Sequence, residues 1–384
     1  MSRARDNANL GAQAGSGLDA SDITTGTFPD TVTLKSSPLS HRNMIINGDM
    51  RVAQRGTGIV TGSADGFAVD RFRTLAGNDG QTTYQQVEDA PEGFKYSLDV
   101  LIVVADASLG TTQHETFNHR IEGQNIQHLA WGTSDAKTVT LSFYVKGSVA
   151  GTYSGAITNS AKNRSYPFTF AVTTSWNRVS ITIAGDQTGT WLTTNGIGIQ
   201  ITWAIGGGSN YLGTAGAWVA SEKRGVTGST QLLSTASATL NFTGVQLELG
   251  SSATPFEHRS YGDELARCMR YCQVYVSDLE DATNNTMCHG WAVTTGAARI
   301  IQPFPVWFRA QPSLSFPHSA TSMYLSDGAT ASRQCSALAI NDYITARMMD
   351  LNFTANNNDL TAFRPYYLFL GNPSSFRLIF SAEL

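Results

Sequence analysis

Leu240-Asn241-Phe242-Thr243-Gly244-Val245-Gln246-Leu247-Glu248-Leu249 decides how this chain folds. Leu240 and Phe242 are apolar at even positions; Val245, Leu247 and Leu249 are apolar at odd ones. The parity flips at Gly244. A strand places alternate side chains on opposite faces, so an uninterrupted strand would send one set into water. A β-bulge at Gly244 keeps both sets in one core, because glycine accepts the backbone a bulge needs. On this alternation Glu248 points outward, toward solvent or another subunit.

The same period of two recurs upstream. Val139, Leu141, Phe143 and Val145 alternate with more polar residues; so do Val179, Ile181 and Ile183, and Ile199, Ile201, Trp203 and Ile205. Asn43 to Met50 reads as a short strand ending in an Asn-Gly turn. Strands separated by turns predict an antiparallel jelly-roll β-sandwich over residues 41–258. Residues 1–40 are rich in Gly, Ala, Ser and Thr, with Pro29 and Pro38, and read as an extended tether. Its apolar residues Leu10, Leu18, Ile23 and Phe28 are too sparse for a core and suit docking onto a partner. From Ser260 the period changes to about 3.6. Ser260-Tyr261-Gly262-Asp263 fits a capping box, and Leu265, Cys268, Met269 and Cys272 follow on one helical face. This predicts a linking helix within 259–275. Residues 276–384 turn β again and are expected to form a second, sandwich-like domain. In it Phe304-Pro305-Val306-Trp307-Phe308 reads as an edge or bulged strand.

The bulk numbers agree with a mainly β chain. Of 384 residues, 41% are hydrophobic and only 15% charged, with 36 glycines. The net charge of −4 provides no basic face, so no nucleic-acid partner is expected. No stretch approaches the ~20 apolar residues of a membrane span. No apolar leader core follows Met1, so synthesis in a cytosol without the usual export is expected. The four cysteines, Cys268, Cys272, Cys288 and Cys335, read as small packing residues rather than a zinc site.

Signatures of catalysis do not hold. His114-Glu115 opens like a zinc-protease helix, but Asn118 stands where the second histidine must be. No Gly-x-Ser-x-Gly elbow exists. Gly206-Gly207-Gly208 is not followed by Lys, and Gly56-Thr57-Gly58 precedes no helix. Asp263 and Glu264 suit a helix start better than a pair of glycosidase acids. The chain is therefore expected to be no enzyme and to need no cofactor. The aromatics of the Gly- and Thr-rich segments, Trp131, Trp191, Tyr211 and Trp218, are candidates for a ligand face, as are Tyr144 and Tyr166 if they point outward.

Asn43-Met44-Ile45-Ile46-Asn47-Gly48-Asp49-Met50, with Val52-Ala53-Gln54-Arg55-Gly56, resembles the opening of jelly-roll domains of phage tail-fibre and related virion proteins. Val69-Asp70-Arg71-Phe72 is similar to that family's Asp-Arg-aromatic step. Gly244 to Glu257 resembles its closing strand, shared in outline with carbohydrate-binding modules. Glu264 to Tyr271 resembles the helix that follows; Phe308 to Leu314 and Ala382-Glu383-Leu384 resemble the C-terminal part. The resemblance spans about residues 43–384. It implies a virion fibre made in the host cytoplasm and docked through residues 1–40 to other tail or head proteins. It also implies a homotrimer, a host-surface glycan as partner, and a structural calcium whose ligands no Asp-x-Asp-x-Asp loop assigns. A purely structural virion component and a polysaccharide depolymerase are the alternatives.

Overall fold

In the computed structural model the strands run in chain order as β1 (Val60–Thr61), β2 (Gly66–Val69), β3 (Phe72–Gly77), β4 (Gln81–Val87), β5 (Ser97–Val104), β6 (His114–Glu122), β7 (Val139–Gly147), β8 (Gly151–Thr158), β9 (Ser165–Val172), β10 (Asn177–Ile183), β11 (Ile197–Gly207), β12 (Leu212–Gly213), β13 (Gly225–Val226) and β14 (Thr239–Leu249). The structure describes residues 41–62, 66–276, 286–316, 323–328, 332–341, 344–370 and 377–384. The tether residues Leu10, Leu18, Ile23 and Phe28 lie outside them.

Two six-stranded sheets make the sandwich: β1-β4-β5-β14-β7-β10 and β2-β3-β6-β11-β8-β9. Their inner faces meet over rings. Phe117 stacks on Trp203 at 5.1 Å, and Phe143 and Phe242 close on the same indole at 5.8 and 6.0 Å. Each such pair contributes about 0.5–1.5 kcal/mol beyond its burial. The register of β14 on β7 shifts between Thr243 and Gln246, and Gly244 sits at φ 62°. Leu240, Phe242, Val245 and Leu247 are all buried, so the bulge performs the parity change read from the sequence. Glu248 does not point to solvent. It is buried and accepts from Gln246 Nε2 (2.8 Å) and from the backbone and hydroxyl of Thr254 (2.9 and 2.7 Å). The bulge leaves this outward face roofed by the returning chain at Thr254 and Pro255.

Asn43–Met50 is not a strand. It joins β14 through two backbone bonds, Met44 N–H to Leu247 O and Val245 N–H to Gly48 O. Side chains replace the rest of the ladder: Asn43 Oδ1 accepts from the Ile45 and Leu247 amides, and Asn47 Oδ1 from Val52.

Helix α1 (Tyr261–Met269) follows, with Ser260 Oγ accepting from the Asp263 N–H at 3.2 Å. Cys268 is buried on it, whereas Cys272 already belongs to β15 (Cys272–Val276). The remaining strands are β16 (Thr286–Ala292), β17 (Ala297–Pro303), β18 (Ser313–Ser315), β19 (Met323–Ser326), β20 (Arg333–Ile340), β21 (Met348–Ala355), β22 (Pro365–Leu370) and β23 (Arg377–Ser381). β15-β23-β18 form a small sheet. β16-β17-β21-β20-β19-β22 close into a barrel around Ile300, Leu325, Leu351, Phe353 and Leu368. The sandwich-like second domain expected from the sequence thus takes the form of a closed barrel, since alternation alone does not say whether a sheet closes on itself. Phe304–Phe308 is a bend rather than an edge strand. Pro305 breaks the ladder, while the flanking Phe304 and Phe308 amides bond to Arg347 O and Ala346 O.

A polar seam joins the sandwich to these later elements. Arg71, in left-handed backbone at φ 73°, pairs with Glu383 and lies 3.5 Å over the ring of Tyr271. Arg55 reaches the same carboxylate at 3.2 Å. Arg270 grips Glu122 with two bonds of 2.9 and 2.7 Å, and Tyr271 donates to Glu122 at 2.9 Å. Asn47 donates to Asp70 O, Asp70 accepts from the Gln54 amide, and Gln54 donates on to Cys272 O. Segments far apart in sequence meet here. Their polar residues hold the fold together.

Candidate ligand-binding cleft

Four of the six candidate aromatics converge, but on each other. Trp131 and Trp191 are T-shaped at 4.7 Å, Trp218 meets both at 5.3 and 5.4 Å, and Tyr166 packs on Trp218 at 5.3 Å. The indole N–H groups are spoken for: Trp131 donates to Lys137 O, Trp218 to Ala184 O and Trp191 to Asp186. Trp131 and Trp191 are buried, which corrects the expectation that a loop position leaves their faces free. The reason is local. Gly132 and Gly189 take φ of 88° and 80°, and a Cβ on Gly132 would lie 2.8 Å from Gly189 O, so the two loops close over the rings. Asp186 anchors the closure through a bidentate pair with Arg164 at 2.8 and 2.5 Å. Burial pushes the Asp186 carboxyl up, but Arg164, Thr188 and Trp191 outweigh it and hold it below the usual range. Tyr211 is half-buried under the Arg224 guanidinium (4.0 Å) and beside His114. Tyr144 is half-buried against Phe94 at 5.4 Å. Trp203, on the apolar face of its strand, is core as expected, whereas Trp176 is half-buried and donates to Asp89 at 3.2 Å.

Tyr144 leads to a cleft that the aromatic candidates had not marked. Phe94, Phe256 and His258 form a ring triangle with centroids 4.9–5.2 Å apart, behind Tyr144. In front lies an open cleft of about 570 Å³, lined by Phe94, Lys95, Tyr96, His258 and Tyr261 together with Asp49, Arg51, Gly93 and Arg259. Three segments build it. The β4–β5 turn is set by Gly93 at φ 87° and by the Phe94 N–H bonding to Pro91 O. The Asn47–Arg51 turn supplies an ion pair, Asp49–Arg51 at 2.6 Å, and Arg51 donates on to Arg259 O at 2.5 Å. The stretch before α1 supplies Arg259, paired with Glu257 and Glu264 at 3.1 and 3.3 Å, and the first residue of α1, Tyr261, is 54% exposed. Lys95 stands 5.0 Å over the Tyr96 ring and pairs with Glu88 at 3.3 Å. Burial raises the Asp49 carboxyl above its ordinary value despite Arg51 beside it.

Chemically, the cleft offers ring faces flanked by fixed donors and one carboxyl, the combination that lets a protein stack the C–H face of a sugar and bond its hydroxyls. Asp49 is the sole acid among the lining residues, so the cleft itself does not present the two carboxylates a glycosidase uses. In the sequence Tyr261 carries only the signature of a helix start. The signal available in the sequence was the run of aromatics beside Pro91-Glu92-Gly93, a turn between two strands. Among the described residues, no group of three or more His, Cys, Asp or Glu is placed to hold a metal. All four cysteines are buried and unpaired, and burial pushes the Cys288 and Cys335 thiols up to about 12.

No protein-family model and no curated protein sequence matches the chain. Among solved structures, the enzymatically active domain of tailspike protein 4 of bacteriophage CBA120 aligns at 11% identity and a TM-score of 0.29 over 54% of this chain. The match spans about a fifth (21%) of that tailspike chain. A family 4 carbohydrate-binding module aligns at 17% identity and a TM-score of 0.27, over 54% of this chain and 99% of its own. A xylan-binding domain from Paenibacillus barcinonensis aligns at 11% identity and 0.26, over 52% and 98%.

Proposed function

We propose that this chain is a phage virion fibre protein that contacts a host-surface glycan without cleaving it, and that the Tyr96–Tyr261 cleft is the contact. The observation that carries the reading is the cleft itself: an open space of about 570 Å³ with an exposed tyrosine, a backing triangle of rings and fixed polar groups. In this reading residues 1–40 dock the fibre to other virion proteins. Three linked copies then raise the avidity of individually weak sugar contacts by ~10²–10⁴. Glycan-array binding by the full chain tests it. Tyr261→Ala and Tyr96→Ala are expected to weaken the retained glycans tenfold or more, and Tyr261→Ala, at an exposed position, to leave the thermal midpoint in place. An intact, folded protein that binds neither glycans nor host cells overturns the reading.

A second reading, a purely structural virion component, is favoured by one observation: four of the six candidate rings pack inward on each other. Under it, Tyr261→Ala leaves host adsorption of assembled particles unchanged. A depolymerase would instead release reducing ends from host polysaccharide.

A further inference from the structure

The bend at residues 304–308 holds one tryptophan in water while burying its neighbours. Phe304 and Phe308 are buried and T-shaped at 4.7 Å, whereas Trp307 is 57% exposed. The bend is pinned on two sides. The Phe304 and Phe308 amides bond to Arg347 O and Ala346 O at 2.9 and 2.8 Å, and Gln273 Nε2 donates to Val306 O at 2.6 Å. The Arg347 guanidinium lies 4.0 Å over the Trp307 ring. Its side chain is exposed, and among the described residues it has no acidic partner. Trp307 also lines a groove of about 580 Å³ between the bend and α1, where Arg267, Arg270 and Asp263 face Pro305 and Val306. Arg267 is held by Asp263 at 3.4 Å and Arg270 by Glu122 at 2.7 Å, whereas Arg347, beside the groove on Trp307, has no acidic partner among the described residues.

We infer that Trp307 and Arg347 form a second saccharide contact, distinct from the Tyr261 cleft and selective for a carboxylated sugar, a sialate or uronate residue. The indole is a wide, stiff surface with few torsions to freeze, suited to the apolar face of a pyranose. The planar guanidinium stacked over one face of the ring matches a carboxylate with two parallel hydrogen bonds. A neutral sugar would use the ring and leave the cation idle, so charge complementarity selects the acidic one. The inference rests on the reading of the chain as a glycan-contacting protein, but it uses a different surface, and the two fail separately.

The test is binding of the full chain to an array of immobilised sialylated, uronate-containing and neutral glycans. Circular dichroism verifies the fold of each variant. Trp307→Ala and Arg347→Ala are expected to lose binding to the carboxylated glycans at least tenfold while keeping that to neutral ones, and Trp307→Phe to recover part of the loss. Raising the salt is expected to weaken this binding specifically. Unchanged binding by Trp307→Ala, or equal retention of neutral and carboxylated glycans, overturns the inference. If glycans are retained and only Tyr261→Ala loses them, this site falls and the cleft stands; if no glycan is retained, both fall.

Discussion

Glu115 shows how one buried side chain shapes the response to pH. Its carboxyl accepts from Tyr84 O–H at 2.6 Å and Asn78 Nδ2 at 2.7 Å inside the sandwich. Burial, the largest cause, raises its pKa from 4.5 to about 7, against the opposing pull of those two donors. In the unfolded chain the proton leaves above about 4.5, whereas the folded protein keeps it to about 7. The stabilisation is therefore complete below about 4.5 and is lost as pH rises through 7. Asp70, raised by burial from 3.8 to about 6, acts in the same sense over a lower window. Glu122 and Asp186, held low by Arg270 and Arg164, oppose it once the pH falls into the carboxylate range. We expect Glu115→Gln, whose amide oxygen still accepts from Tyr84, to flatten the fall in urea midpoint between pH 5 and 8. At pH 8 the variant gains at most about 3 kcal/mol. An unchanged pH profile would show that Glu115 is already ionised in the folded protein.

The strands β7, β10, β11 and β14 and helix α1 were legible because period and capping are local properties of the chain. Gly244 is the clearest case: its parity flip predicted a bulge, and a Cβ there would lie 2.8 Å from both Phe94 and Tyr144. Gly244→Ala combines that collision with a left-handed backbone and is expected to cost about 1–3 kcal/mol in urea unfolding, with the m-value unchanged. A variant as stable as the parent would show that the bulge does not require glycine at this position. What was not legible depends on partners distant in sequence. Nothing near Trp131 announces Trp191 and Trp218, nothing in β16 to β22 announces closure, and Tyr261 carries the signature of a helix start whether or not a cleft opens beside it.

Across the whole molecule, the seam of Arg55, Asp70, Arg71, Glu122, Arg270, Tyr271 and Glu383 decides whether the sandwich and the later β elements unfold as one. Arg71 and Glu383 are almost without solvent, their side chains 2% and 10% exposed. Removing one member strands the other's charge in the interior, which costs about 3–5 kcal/mol. Glu383→Ala is accordingly expected to split thermal unfolding into two transitions, the barrel melting first, as calorimetry would record. A single transition at the parental temperature would mean that the seam couples nothing. The strand order carries a consequence for synthesis. β14 lies between β5 and β7, and β11 between β6 and β8, so each sheet is completed by a strand that leaves the ribosome after both of its neighbours. Until about residue 249 has emerged, β5 and β7 offer bare rims to any other nascent chain nearby. The sandwich is thus assembled late and all at once, and its yield in a cell is set by how long those rims wait and by what shields them meanwhile.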